Sequence, residues 1–230
     1  MAARVTVSPA PSDFPVQARP TLAFRAARRL LRGIGRRLFR VEVRGLDNLE
    51  PGRGYVIVAN HLQWIDAFAV VAALPAQPRI HVFGDLLGIT PWQMRVVRRI
   101  GGVIPVDRSD GRSPAVLEQA ERCLRVGGSL LIFPEGRCNE TEGSAGDFRK
   151  GFAHFALNTG APVLPVGLTG TRELWLRKRL TVTVGRPVST GGHSPESLTA
   201  AGRTAVLALL DGRVDRGGRR LLARQLTTLF

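Results

Sequence analysis

The chain has 230 residues, 44% of them hydrophobic and 22% charged, a balance that excludes intrinsic disorder and suits one globular domain with a sizeable core. Its formal charge of +15 is almost wholly arginine, the only lysines being Lys150 and Lys178. Arginine forks match phosphate and carboxylate partners, so the surface favours nucleic acid, anionic lipid or an acidic carrier protein, and charge alone does not choose among them. Cys123 and Cys138 are too few for a disulfide framework or a zinc site, and no cleavable signal peptide is visible. The cytoplasmic side is the default expectation.

Residues 1–20, with Pro9, Pro11, Pro15 and Pro20, read as an irregular leader. The next stretch, "TLAFRAARRLLRGIGRRLFR" (21–40), sets Phe24, Ala27, Leu31, Ile34 and Leu38 at spacings of three and four, with Arg25, Arg28, Arg29, Arg32, Arg36 and Arg37 largely elsewhere. This pattern predicts a basic amphipathic helix, which either packs on the domain with a solvated arginine face or lies on a membrane surface.

Residues 41–230 read as a single domain in which strand-like and helix-like segments alternate, the sequence form of a mainly parallel, mixed sheet covered by helices. Predicted strands are 41–43, 55–59, 80–83, 103–106, 129–133, 163–168 and 180–184, with an apolar helix over 67–74. Thr90-Pro91, Ser113-Pro114 and Ser194-Pro195 each offer a helix N-cap followed by proline at the first helical position, and Gly101, Gly127 and Gly160 supply stops. The uncharged run 151–171 reaches the length of a membrane span, about 20 residues, but Asn158, Gly160, Pro162 and Pro165 break it into helix, turn and strand. The basic tail "RVDRGGRRLLARQLTTLF" is expected to end in a surface helix.

Chemistry gathers at the predicted strand ends, where α/β folds bind ligands. "YVIVANHLQWIDAF" (55–68) places His61 in the turn after a strand and Asp66 five residues on. Residues five apart on one helix point about 140° away from each other, so His61 must precede the helix or sit in its first turn for Asp66 to hold one ring nitrogen and leave the other as a base. "GGVIPVDR" (101–108) delivers Asp107 and Arg108 beyond another strand. "LLIFPEGR" (130–137) delivers Glu135, Gly136 and Arg137, the glycine letting the backbone approach a ligand. Singly, each has a structural explanation: a weak exposed ion pair for Asp107 and Arg108, backbone amides for Glu135. Together they describe a phosphate-binding site with a base attached.

"NHLQWID", "GVIPVDR", "FPEGR" and "APVLPVGL", in this order and at these separations, resemble the four sequence blocks of the glycerolipid acyltransferases, most closely the 1-acylglycerol-3-phosphate O-acyltransferase family, over residues 42–190. The resemblance implies that family's α/β fold, His61 as general base and Asp66 as its orienting acid. It also implies that Arg108, Glu135, Gly136 and Arg137 hold the phosphate-bearing acceptor, while residues 161–166 shape the pocket by packing. The commonest third block has a Thr between the Gly and the Arg, whereas Gly136 is followed directly by Arg137. This departure keeps a lysophospholipid with a substituted headgroup in view as the acceptor.

The implied reaction is attack by the acceptor hydroxyl, deprotonated by neutral His61, on an acyl thioester, giving phosphatidic acid. It needs no metal and no permanently bound cofactor; acyl-CoA or acyl carrier protein enters as co-substrate. An acyl-enzyme requires a nucleophile beside the base, and residues 60–68 contain neither Ser nor Cys, so Cys138 reads as a bystander. The expected partners are a lysophospholipid, the acyl donor and an anionic membrane met peripherally from the cytoplasmic face. A purely binding module, for lipid or nucleic acid, leaves the His-Asp pair unexplained, and three Trp and one Tyr make a poor set of base-stacking platforms.

Overall fold

A strand buried on both faces must be apolar throughout, and Val56–Ala59 (β2) is fully buried at every position. Its alternate side chains enter two cores. Val56 and Val58 join one cluster with Leu130, Ile132 and Phe152, whereas Tyr55, Ile57 and Ala59 join another with Val70, Leu131 and Leu164. The computed structural model describes residues 15–84, 91–106, 113–210 and 222–227.

The remaining strands are Arg40–Arg44 (β1), Ile80–Gly84 (β3), Val103–Pro105 (β4), Ser129–Ile132 (β5), Val163–Thr169 (β6) and Arg179–Val184 (β7). They form one seven-stranded sheet in the order β1-β7-β6-β2-β5-β3-β4. Every neighbouring pair is parallel except β6 with β7, so the mainly parallel α/β expectation holds. Pro165 sits inside β6, where a missing N–H would break a ladder. The pairing with β7 begins only at Val166, and the Pro165 carbonyl accepts from Gly185, so the absent donor faces the side where the ladder has not started.

The helices are Leu22–Leu38 (α1), Asp66–Ala73 (α2), Pro91–Ile100 (α3), Pro114–Arg125 (α4), Gly151–Thr159 (α5), Pro195–Leu207 (α6) and Ala223–Thr227 (α7). Ser194 and Ser197 complete a reciprocal capping box at α6. Pro114 opens α4 as expected, but the Ser113 side chain makes no capping bond, and Thr90 lies outside the described residues. Residues 151–171 resolve into α5, a left-handed Gly160 and β6. Among the described residues no helix is long and apolar enough to cross a membrane.

Helix α1 corrects the simple two-faced reading. Phe24 is buried, but Ile34, assigned to the apolar face, is 49% exposed, as are Leu30 at 65% and Leu22 at 83%. Arg28 turns inward instead: its guanidinium donates to the carbonyls of Val71, Ala72 and Leu74, occupying acceptors that the end of α2 leaves free. Of the leader, residues 15–20 are irregular yet tied down, with Arg79 N–H donating to the Ala18 carbonyl at 2.8 Å; residues 1–14 are not described. In the tail, the Thr227 hydroxyl of α7 accepts from Leu174 N–H at 3.0 Å.

Candidate active site

Asn60, fully buried, closes β2 with its side chain. Its amide donates to the Leu168 carbonyl at 2.9 Å and accepts from the Leu168 N–H at 2.7 Å, so the side chain continues the bonding to β6 and the main chain is free to turn. His61 follows in that turn, ahead of α2. Asp66 opens α2 and is wholly buried. Its Oδ2 accepts from His61 Nδ1 at 2.8 Å and from the backbone N–H groups of Leu62 at 2.6 Å and Gln63 at 2.7 Å. An ionised carboxylate only accepts, so Nδ1 carries the ring proton and Nε2 is the working nitrogen.

The neighbouring strand supplies the second half. Val58 of β2 is registered with Ile132 of β5, so His61 and Glu135 each stand three residues beyond a matched pair. Glu135 Oε1 accepts the His61 backbone N–H at 3.0 Å, and Oε2 accepts the Gly146 N–H at 2.8 Å. Phe133, between them in sequence, stacks on the imidazole with centroids 4.3 Å apart and planes 22° apart. Asn139 N–H donates to the His61 carbonyl. Backbone and ring of His61 are thus held on every side but one, and its side chain stays 23% exposed.

The imidazole is not at its ordinary value. Burial pulls its pKa down, but the hydrogen bond to Asp66 and the influence of Asp66 and Cys138 beside the ring together outweigh it and raise the pKa to about 9. The sequence reading took neutral His61 as the base; in the folded chain its surroundings favour the protonated ring over the neutral one.

The family model described as Acyltransferase matches residues 40–169. The chain belongs to the acyltransferase family. Among its relatives, the 1-acyl-sn-glycerol-3-phosphate acyltransferase alpha of Bos taurus is 29% identical over 175 residues, which are 70% of this chain and 58% of the relative. The 1-acyl-sn-glycerol-3-phosphate acyltransferase of Borreliella burgdorferi is 32% identical over 139 residues, 60% of this chain and 54% of the relative. The matched part therefore spans somewhat more than half the length of these relatives. The crystal structure of the 1-acyl-sn-glycerophosphate acyltransferase PlsC from Thermotoga maritima shares the fold, with a TM-score of 0.68 at 21% identity, covering 84% of this chain and 83% of that one.

Arg108 and Asp107 lie outside the described residues. Arg137 is exposed and makes no ion pair among the described residues. Arg149, which the sequence reading did not single out, lies over Gly136: a Cβ there would come within 2.9 Å of Arg149 Cζ, and Gly136 has φ +69°. The left-handed φ calls for glycine, whereas the exposed guanidinium could move aside for a Cβ. Gly136 thus admits a guanidinium against the turn that carries Glu135 and Arg137. No local motif marks Arg149; only closure of the loop between Glu135 and Gly146 brings it back. No cluster of residues able to hold a metal occurs among the described residues.

Proposed function

We propose that this protein transfers a fatty acyl group from a thioester donor, acyl-CoA or acyl carrier protein, to the free hydroxyl of 1-acylglycerol-3-phosphate. The observation that carries the reading is the His61–Asp66 couple, with Nδ1 bound at 2.8 Å and the ring still partly exposed at the sheet's carboxyl end. That is the arrangement a hydroxyl acceptor requires: an oriented base, a buried carboxylate to stabilise the imidazolium formed during attack, and no need for a metal. Relatives that bear this activity in their names lend the acceptor its identity.

With its pKa near 9, the base form of His61 amounts to about 1% at pH 7, but that form is a stronger base than free histidine. Arg137 and Arg149, which pair with no carboxylate among the described residues, are suited to the acceptor's phosphate, with Arg108 as a third contact implied by family resemblance. Glu135 acts differently from the acceptor ligand that the resemblance implied. Both its oxygens serve the protein's own amides, and its part is to hold the His61 turn against the loop that returns Arg149.

The reaction takes place at the cytoplasmic face of a membrane, with α1 lying on anionic lipid. Its outer face combines exposed Leu22, Leu30 and Ile34 with exposed Arg25, Arg29, Arg36 and Arg37, a composition suited to a charged interface. The deciding experiment pairs labelled palmitoyl-CoA or palmitoyl acyl carrier protein with lysophosphatidic acid and with lysophospholipids of other headgroups. Preference for the phosphomonoester supports the reading; preference for a substituted headgroup replaces the acceptor, and no transfer to any of them rejects the activity.

A further inference from the structure

The carboxyl ends of three adjacent strands are laced together around His61 by a closed circuit of hydrogen bonds. Val58 of β2 is registered with Ile132 of β5 on one side and with Pro165 of β6 on the other. Asn139 and Arg172 each stand seven residues beyond those matched positions, in the loops that follow β5 and β6. The Asn139 N–H donates to the His61 carbonyl. The Asn139 carbonyl accepts from the Arg172 guanidinium at 3.2 Å, and the Arg172 carbonyl accepts from the Gln63 side-chain amide at 3.4 Å. Gln63 returns the circuit to the base, because its own N–H donates at 2.7 Å to the Asp66 oxygen that holds His61 Nδ1.

Local chemistry puts Arg172 in this place. Gly170 turns the chain out of β6 with φ +87°, where a Cβ would collide with the Arg179 carbonyl, so only glycine makes the turn. Glu142 uses both oxygens on the amides of that turn, taking Gly170 N–H at 2.6 Å and Arg172 N–H at 3.4 Å, which ties the Asn139 loop to the end of β6 a second time. Asn139 keeps its side chain for its own loop, with Nδ2 donating to Ser144 Oγ at 3.1 Å and Oδ1 accepting from Thr141 N–H at 3.0 Å; its backbone is left to bridge His61 and Arg172. From this geometry we infer that Arg172 is a positioning residue for His61: its guanidinium, through Asn139, and its carbonyl, through Gln63, hold the main chain of the base and its orienting carboxylate in one register. The inference rests on the acyl-transfer reading for the reaction it serves. A base works only while its free nitrogen is aimed at the acceptor hydroxyl, and a misplacement of about 1 Å costs on the order of a hundredfold in rate. Arg172 supplies that aim by way of its two neighbours, not by gripping a substrate.

The test is a double-mutant cycle on the full chain, with labelled palmitoyl-CoA or palmitoyl acyl carrier protein as donor and, as acceptors, lysophosphatidic acid and a lysophospholipid with a substituted headgroup. Arg172→Met cuts the link to Asn139, and Gln63→Leu cuts the link to the Arg172 carbonyl; each is checked for native circular dichroism. Each should lower kcat at least about tenfold toward both acceptors, with KM changed by less than about threefold. Because one circuit is cut at two points, the double variant should lie within about threefold of the worse single variant, far from the product of the two losses. Arg172→Lys, whose ammonium still reaches the Asn139 carbonyl, should recover most of kcat. If Arg172→Met does not fold, Glu142→Gln takes its place in the cycle, since an amide nitrogen no longer accepts the Arg172 N–H. The titration of His61 in the free protein needs no turnover: each single variant should lower it from about 9 toward its ordinary value of about 6.5, and the double variant no further. Unchanged kcat, or losses that multiply, overturn the inference. A rise in the KM for lysophosphatidic acid alone overturns it too, by making Arg172 a phosphate ligand. If the wild type transfers to no lyso-lipid, the acyl-transfer reading fails while the titration still decides the role of Arg172: a coupled lowering upholds the circuit, and an unmoved His61 overturns it.

Discussion

Glu135 and His61 stand at the carboxyl ends of adjacent parallel strands, and the Glu135 carboxylate bridges the His61 N–H at 3.0 Å to the Gly146 N–H at 2.8 Å. One buried side chain thereby couples the turn that carries the base to the loop that carries the candidate phosphate ligands. Glu135→Ala leaves two amides without partners, which should cost about 1–3 kcal/mol each and lower Tm by several degrees in a chain of this size. The kinetic signature should be a fall in kcat shared by all acceptors. A selective rise in the KM for lysophosphatidic acid, with unchanged Tm, would return Glu135 to the role of ligand.

His61→Ala should reduce turnover by the ~10²- to 10⁴-fold typical of removing a general base while the protein stays folded. Asp66→Asn should also impair turnover, because an amide at this position no longer fixes the Nδ1–H tautomer or stabilises the imidazolium. Near-normal kcat in a folded His61→Ala protein would exclude base catalysis by this residue.

The titration of His61 gives an independent check. Its pKa of about 9 is the outcome of burial, which lowers it, opposed by Asp66 and Cys138, which raise it. Proton-detected titration of the free protein should find one histidine near 9, and both Asp66→Asn and Cys138→Ala should bring that value down. Stability follows with a definite sign. A folded histidine that holds its proton more tightly than the unfolded chain contributes in full below its ordinary pKa of about 6.5, and the contribution is lost as pH rises through about 9. Comparing unfolding free energies of the wild type and His61→Ala from pH 6 to pH 10 should show their difference shrinking; a difference that grows with pH would contradict the shift.

Much of this was legible in the sequence for a physical reason. The central strands are short apolar runs and the edge strand β1 alternates Val with charge, and the His61–Asp66 pair is local, so its geometry follows from one strand-to-helix turn. What escaped is non-local or sterically specific. Backbone amides were one of the two readings of Glu135, but which amides depends on Gly146 eleven residues later and on His61 across the sheet, and Arg149 reaches the turn only through a loop closure. Asn139 ties its loop to the His61 carbonyl from a different strand's end, which a search along residues 60–68 does not find. Arg28 was assigned to a solvated face because arginine is charged; its guanidinium instead has free carbonyls within reach at the end of α2, and those outcompete water.

Arg137 and Arg149 should separate binding from chemistry. If either grips the acceptor's phosphate, its replacement by Ala should raise the acceptor KM much more than the donor KM. Arg149→Ala should show the effect without loss of Tm, because the exposed guanidinium makes no ion pair among the described residues. An equal loss toward donor and acceptor would assign both arginines to holding the loop.

Helix α1 sets the last prediction. Its outward face carries Arg25, Arg29, Arg36 and Arg37 alongside exposed Leu22, Leu30 and Ile34, while Arg28 faces the domain. Each arginine near an anionic surface is worth on the order of 1 kcal/mol, and the attraction fades as salt shortens the Debye length. Replacing the four outward arginines by Ala should therefore weaken partitioning to anionic vesicles by up to roughly a thousandfold, with the fold unaffected. Wild-type protein should sediment with anionic but not zwitterionic vesicles at low salt and be largely released by high salt. Arg28→Ala is the contrasting case: it leaves the α2 carbonyls of Val71 and Ala72 without their donor, so it should lower Tm while the folded protein keeps its vesicle preference. If the fourfold variant binds anionic vesicles as the wild type does, α1 is only a packing helix. Salt-resistant retention on neutral vesicles would shift the attachment from the arginines to the apolar residues between them.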